Sequence, residues 1–279
     1  MIHNDDSMVQ TNALATQFTA VIMAGSRAGI DPVAQASGKT HKCLVDVAGV
    51  PMLMRVLESL ESCPHVARII LCVEASFKNI PEIDKRIADC ELERLDAAGS
   101  PAASALRACK LLSDALPLLI VTADHPLLNN EILDHFCTHV RTCGDIGVGI
   151  ARADMVLERY PESTRTLLRF ADGARCGCNL FSINTPAARA AIVFWTQLEQ
   201  ERKRPWRLIR MLGVGASFRY LSSRLTLADA LATLSRKLQI EAGAIEIPFA
   251  EAAIDVDKLS DLALVESILR DRAGIISPI

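Results

Sequence analysis

Residues 118–128 read Leu118-Leu119-Ile120-Val121-Thr122-Ala123-Asp124-His125-Pro126-Leu127-Leu128. A short, unbroken apolar run that stops at an acid and a proline has the form of a strand buried on both faces, here Leu118 to Thr122. Such strands belong to sheets with helices on either side, so this one is expected near the centre of an α/β sheet. A carboxylate at the carboxyl end of a central strand faces the crevice where open α/β sheets bind their ligands, and Asp124 stands there. Alone it reads equally well as a cap for the next helix, a task that Asn129 or Asn130 could also perform.

Working outward, the same alternation of short apolar runs and longer periodic stretches continues. Phe18 to Met23 reads as a strand, and Ala24 to Gly49 as a long glycine-bearing loop. Pro51 opens a helix whose Leu53, Val56, Leu57 and Leu60 share one face. Arg68 to Val73 is a strand, Pro81 to Cys90 a polar helical stretch, and Ser100 the N-cap of a helix over Pro101 to Asp114. Beyond the quoted stretch come a helix over Asn130 to Thr142, a strand at Ile146 to Ala151, and strand-like runs at Arg165 to Phe170 and Cys178 to Ile183. The sheet is therefore expected to be mixed but mostly parallel. Pro186 to Gln239 reads as mostly helical and contains Trp195 and Trp206; strand-like Ala244 to Pro248 and Ala252 to Val256 follow. A closing helix from Leu259 to Arg272 has Asp261 in its first turn, where a negative charge meets the positive helix end. These boundaries imply a disordered tail over 1–17 and one domain over 18–279, with 186–250 a mostly helical insertion.

Composition narrows the function classes. With 279 residues, half of them hydrophobic, the chain can bury a large core and is not a disordered protein. A net charge of −3 gives no overall field for holding nucleic acid or an anionic membrane, so any anion site must be local. The 9 cysteines are odd in number and scattered through apolar or helical segments, which reads as reduced thiols in a cytoplasmic protein. The run Ala115 to Ala123 is far short of the roughly 20 residues of a membrane span. The first residues lack the basic start and apolar core of a signal peptide.

Three constellations carry chemistry. In the first, Ala24, Gly25, Ser26, Arg27, Ala28 and Gly29 follow a strand, and Gly38, Lys39 and Lys42 lie further on. Glycines let backbone amides turn inward, and Arg27 and Lys42 add the charge that a polyphosphate needs. A plain surface loop would explain the glycines but not a long loop at a strand's carboxyl edge. The second is Asp124. The third is Asp255-Val256-Asp257, where alternation of an extended chain puts both carboxylates on one side, about 6 to 7 Å apart. Acids so crowded repel unless a cation lies between them, and Mg²⁺ or Mn²⁺ suits one or two carboxylates plus substrate phosphates. Taken alone, the pair could equally mark a helix start capped by Asp257.

Several patterns fail on inspection. Gly38-Lys39-Thr40 has Val33 where a P-loop needs glycine. Gly213 and Gly215 lead to Phe218 where a dinucleotide fingerprint needs its third glycine. His135 and His139 flank Cys137 without the glutamate of a zinc protease, Cys176 and Cys178 have no partner pair at zinc spacing, and no G-x-S-x-G occurs. The basic group Arg202, Lys203, Arg204, Arg207 and Arg210 around Trp206 reads as a solvated face, or as an acceptor phosphate site joined by Arg165 and Arg169.

In this order the three constellations resemble the MobA-like nucleotidyltransferase superfamily, which includes molybdenum-cofactor guanylyltransferases, isoprenoid-pathway cytidylyltransferases and sugar-phosphate uridylyltransferases. The resemblance rests on VIMAGSRAG (21–29), HKCLVDVAGVPMLMRVLESL (41–60), TADHPLL (122–128), CNLFSI (178–183) and DVDKLSDLALVE (255–266). It implies a Rossmann-like three-layer α/β/α sandwich. Ala24, Gly25, Ser26, Arg27 and Lys42 would hold the triphosphate, with Arg27 and Lys42 also catalytic. Asp124 and Asp257 would bind Mg²⁺, Asp257 aligning better than Asp255. Ser100 and Ser104 fall where relatives contact base or ribose, and Asn179 where some contact the acceptor. Ile30 to Thr40 lengthens the first loop beyond the family's usual form. The implied reaction moves a nucleoside monophosphate from a nucleoside triphosphate to a phosphorylated small-molecule acceptor. CTP or GTP is the expected donor, with CTP and a phosphorylated alcohol or polyol put first because the second half differs from the molybdopterin enzymes. A nucleotide-sugar glycosyltransferase, which also carries D-x-D, is the rival, although that motif lies mid-chain in such enzymes. A catalytically silent nucleotide-binding protein is another.

Overall fold

The computed structural model describes residues 17–25, 31–77, 80–89, 91–201 and 213–272. In chain order, β1 (Phe18–Met23) is followed by α1 (Pro32–Ala36), the hairpin strands β2 (Asp46–Val47) and β3 (Val50–Pro51), and α2 (Met52–Glu61). Then come β4 (Val66–Val73), α3 (Pro81–Ala88), β5 (Glu93–Asp96), α4 (Pro101–Leu111) and β6 (Leu118–Thr122). The second half runs α5 (Asn130–His139), β7 (Ile146–Arg152), α6 (Ala153–Arg159), β8 (Leu168–Phe170), β9 (Gly173–Ile183), α7 (Arg189–Glu201), α8 (Val214–Leu221), α9 (Leu227–Leu238), β10 (Ala242–Glu246) and α10 (Leu259–Arg272).

The main sheet has the order β10-β7-β9-β6-β1-β4-β5, with β8 paired to β9. β1 lies parallel between β4 and β6, while β9 runs antiparallel to both β6 and β7. Successive side chains of a strand point to opposite faces, and both faces here are covered. Ile22, Leu71 and Val121 pack on one face with Leu53 of α2, Phe136 of α5 and Val265 of α10. Val21, Ile70 and Ile120 pack on the other with Ala105 of α4 and Ile192 of α7. This two-sided burial is why the central strands read as unbroken apolar runs. The protein is a Rossmann-like α/β fold built on a mostly parallel mixed sheet.

From β1 the chain moves to β4 and then β5 on one side, and β6 returns on the other. The carboxyl ends of β1 and β6 therefore flank a topological switch point, the place where such sheets leave a crevice.

Several expectations are corrected. Ala24 to Gly49 is not one continuous loop. Asp31 caps α1 by accepting hydrogen bonds from the Val33 and Ala34 amides, Lys42–Leu44 form one 3₁₀ turn, and β2 and β3 form a hairpin. Its two-residue turn uses positive φ at both Ala48 and Gly49, as a tight hairpin demands. Pro51 precedes its helix, which starts at Met52. Residues 252–256 are not a strand: Ala250–Ala253 form a 3₁₀ turn, and Ala252, Ala253, Ile254 and Val256 are all buried, so no alternation exists. β10 stops at Glu246; the Ile247 amide still reaches Ile150 O, but Pro248 has no N–H to continue the ladder. Residues 186–250 contain α7, α8 and α9, yet β10 joins the main sheet parallel to β7. β5 and α6 were not anticipated. The expected tail lies outside the described residues apart from Gln17, whose amide donates to Pro64 O.

Close packing at β7 yields one prediction. A Cβ on Gly147 would lie 2.1 Å from Val140 Cγ2 and 2.7 Å from Ser182 Oγ. Gly147→Ala is expected to lower the unfolding free energy by about 1–3 kcal/mol, measured by urea denaturation; an unchanged midpoint would show that β7 can move away freely.

Candidate metal and phosphate site

The sheet's carboxyl edge is built by backbone hydrogen bonds that extend the strands. The Ala24 amide donates to Cys72 O, Ala97 to Val73 O, and Ala123 to Met23 O, so the loops after β1, β4, β5 and β6 leave the sheet together. A Cβ on Gly25 would sit 3.0 Å from Ala97 Cβ, so glycine lets the first loop pass against the loop before α4. The Val256 amide donates to Asp124 O at 2.9 Å, which ties the Asp255–Asp257 segment directly to the end of β6.

That tie gathers the acids. One ligand oxygen from each of Asp124, Asp255 and Asp257 lies within 4.8 Å of the others. Lys42 Nζ donates to Asp124 Oδ2 at 2.7 Å and to Asp257 Oδ1 at 2.9 Å, bridging two parts of the cluster. The Lys42 turn is anchored by buried Cys43 and Val45 on one side, and by the edge-on contact of His41 with Phe77 on the other. α10, which begins just after Asp257, packs against α1 and β2 and so braces the lysine loop.

Asp255 has different neighbours. Arg165 Nη1 donates to its Oδ1, and Asn179 Nδ2 donates to its Oδ2 at 2.7 Å. Arg165 Nη2 also donates to Asp261 Oδ1 at 2.6 Å, and this arginine is almost wholly buried. The other oxygen of Asp261 accepts from the Asp257 and Lys258 amides at 3.0 and 3.1 Å, the reciprocal half of a capping box at the start of α10. Asn179 reaches Asp255 from a bulge in β9. Val148 pairs with Phe181 but Ile150 pairs with Gly177, and Asn179 takes φ 52° to absorb the extra residues.

Electrostatics follow from this crowding. Burial and the neighbouring charges of Asp124 and Asp257 push the Asp255 carboxyl up to about 6, against the opposing pull of Arg165 and Asn179. Burial would pull the Lys42 ammonium down, but Asp124 and Asp257 outweigh it and hold the pKa above the ordinary lysine value. His125 is buried, which depresses its pKa, and its Nε2 faces Glu251 O at 3.2 Å. Asp124 Oδ1 is buried with no hydrogen-bond partner among the described residues. An orphaned carboxylate oxygen beside two further carboxylates suits a divalent cation, which takes oxygen ligands and offsets their repulsion.

The structure thus brings together Lys42, Asp124, Asp255, Asp257, Arg165 and Asn179. Ser26, Arg27, Lys203 and Arg204 lie outside the described residues. Ser104 is buried, and its hydroxyl both accepts from the Ala98 amide and donates to Ala98 O. Ser100 caps α4 and donates to Glu199 Oε2 at 2.5 Å. Arg169 is exposed on β8 opposite Ala174. Asp261 is the participant that sequence reasoning saw only as a favourable first-turn charge; acid three residues into a helix was the signal for its capping role. Because Arg165 offsets two carboxylates in a buried place, Arg165→Met should cost about 3–5 kcal/mol of stability by urea unfolding. A loss well under about 1 kcal/mol would mean that water already screens the network.

No curated protein matches the chain by sequence. Among solved structures, a hypothetical transferase from Thermus thermophilus superposes with a TM-score of 0.73 at 26% identity, covering 88% of this chain and 99% of that one. A 4-diphosphocytidyl-2C-methyl-D-erythritol synthase gives 0.55 at 11% identity over 91% of this chain and 98% of its own. A CMP:2-keto-3-deoxy-manno-octonic acid synthetase solved with CTP gives 0.54 at 13% over 92% and 99%. The last two likenesses are of fold. The profile of the MobA-like NTP transferase domain matches residues 20–186, more than half of the chain. These residues include the glycine-bearing first loop, Lys42 and Asp124, and the chain belongs to the MobA-like NTP transferase family.

Proposed function

We propose that this protein is a metal-dependent nucleotidyltransferase that moves a nucleoside monophosphate from CTP or GTP to a phosphorylated small-molecule acceptor and releases pyrophosphate. The observation that carries the reading is the bridge from Lys42 to Asp124 and Asp257 at the switch point beside β1. A lysine held among carboxylates at that edge makes a site with charge of both signs, as a metal–triphosphate complex requires.

In the proposed reaction an acceptor phosphate oxygen attacks the α-phosphorus in line, the bond to the β-phosphate oxygen breaks, and pyrophosphate leaves. Asp124 and Asp257 would hold Mg²⁺ or Mn²⁺, since Asp255 already has an oxygen on Arg165 and the other on Asn179. Bound there, the ion would neutralise charge on the transferring group. Arg165 and Asp261 keep the Asp255–Asp257 segment in register with Asp124. Lys42 and Arg27 would offset the triphosphate charge, with Ala24, Gly25 and Ser26 passing alongside it. Ser100 and Ser104 shape the loop that the base and ribose would meet, and Asn179, Arg165, Arg169, Lys203 and Arg204 are the proposed acceptor residues. CTP with a phosphorylated alcohol or polyol remains the first pair to try. Among the described residues no helix is long and apolar enough to cross a membrane, and the reading is of a cytoplasmic enzyme with reduced thiols.

Pyrophosphate release should be screened with CTP, GTP, ATP and UTP against pooled phosphorylated metabolites, with Mg²⁺ and with EDTA. One triphosphate, CTP or GTP, should give Mg²⁺-dependent release; silence with all four would remove the reading. With the active pair, Lys42→Ala and Asp124→Asn are each expected to lose about 10²–10³ in kcat while remaining folded. Near-normal turnover in either would contradict the assigned roles.

A further inference from the structure

Lys42 is asked to do two things that it cannot do at once. Its ammonium sits 2.7 Å from Asp124 Oδ2 and 2.9 Å from Asp257 Oδ1, on two of the three carboxylates that cluster within 4.8 Å. A divalent ion bound by the same two carboxylates would stand about 2.0–2.6 Å from its oxygens, repelling an ammonium that shares them. Four carboxylates meet here, from Asp124, Asp255, Asp257 and Asp261, and among the described residues Lys42 and Arg165 pair with them. These cations differ in kind. Arg165 is buried and spends separate nitrogens on Asp255 and Asp261, so it is fixed. Lys42 is a point charge on a flexible four-carbon stem with three rotatable donors, and Asp257 at its far side is largely exposed.

We infer that Lys42 is an exchangeable internal counter-ion: it bridges Asp124 and Asp257 in the nucleotide-free protein, competes there with free divalent cation, and transfers its ammonium to phosphate oxygens when the cation enters together with a triphosphate. The triphosphate half of this statement rests on the proposed function; the competition with free cation does not. The arrangement makes metal and nucleotide mutually reinforcing. Free cation must displace the lysine into water, whereas a cation arriving with a triphosphate brings the anion that receives the lysine. By linkage the reinforcement is reciprocal, so nucleotide raises metal affinity by the factor by which metal raises nucleotide affinity.

The test uses the full chain and Mn²⁺, whose free concentration is read by electron paramagnetic resonance. In Lys42→Met, MnCl₂ alone should bind about tenfold tighter than in the wild type, the factor matching one charge-assisted hydrogen bond. The same variant should bind Mn²⁺ with a non-hydrolysable CTP or GTP analogue about tenfold more weakly. Lys42→Arg, which keeps the charge, should leave affinity for MnCl₂ alone near the wild-type value. Near-ultraviolet circular dichroism checks the fold, and Lys42→Gln replaces the Met variant if packing is disturbed. Unchanged or weaker Mn²⁺ binding in a folded, uncharged variant overturns the inference. If the wild type binds none of the four triphosphates, the nucleotidyl reading fails, while tighter Mn²⁺ binding in Lys42→Met would still establish the competition.

Discussion

Carboxylates from Asp124, Asp255, Asp257 and Asp261 converge where β6 ends and α10 begins, and much of the chain is arranged to make that convergence tolerable. Like charges at such distances repel strongly away from bulk water, and each must find a cation or a donor. Arg165 serves the buried pair, Asn179 the remaining oxygen of Asp255, backbone amides the remaining oxygen of Asp261, and Lys42 the outer pair. The bulge in β9, the capping at α10 and the anchored 3₁₀ turn of Lys42 are the local distortions that deliver those groups. Each ends in a charge-compensating contact.

The sheet supplies the rest of the geometry. Because β4 and β5 lie on one side of β1 and β6 on the other, loops diverge above the β1–β6 boundary, and Lys42 meets Asp124 there. The Asp255–Asp257 segment comes from much later in the chain. One backbone hydrogen bond, Val256 to Asp124, fixes its height against the sheet.

What the sequence displayed and what it concealed divide along physical lines. The central strands were readable because burial on both faces demands unbroken apolar runs, as in Leu118 to Thr122. β5 was not, because Glu93-Arg94-Leu95-Asp96 is a polar edge strand with exposed ends and no such demand. Lys42, Asp124 and Asp257 were grouped in the sequence by residue type, order and family resemblance, and the structure places the three within hydrogen-bonding reach. Arg165 was read as a candidate for the acceptor's phosphate but not as the partner of Asp255 and Asp261, which lie 90 and 96 residues further along. Pairings of that separation leave no periodic trace. Nor does the β9 bulge, which turns Asn179 toward a carboxylate through one backbone angle. Where the first loop was expected to be continuous, Asp31, Ala48 and Gly49 hold local turns that glycine spacing alone did not reveal.

The central claim is that Asp124 and Asp257 form the cation site at which a triphosphate is received. Anomalous diffraction from crystals grown with Mn²⁺ and a non-hydrolysable CTP or GTP analogue tests it most directly. The account predicts one Mn²⁺ peak within coordination distance of both carboxylates, with phosphate oxygens completing its shell and Lys42 turned from the acids onto the phosphates. A peak held elsewhere, or a nucleotide bound away from these two residues, would contradict it.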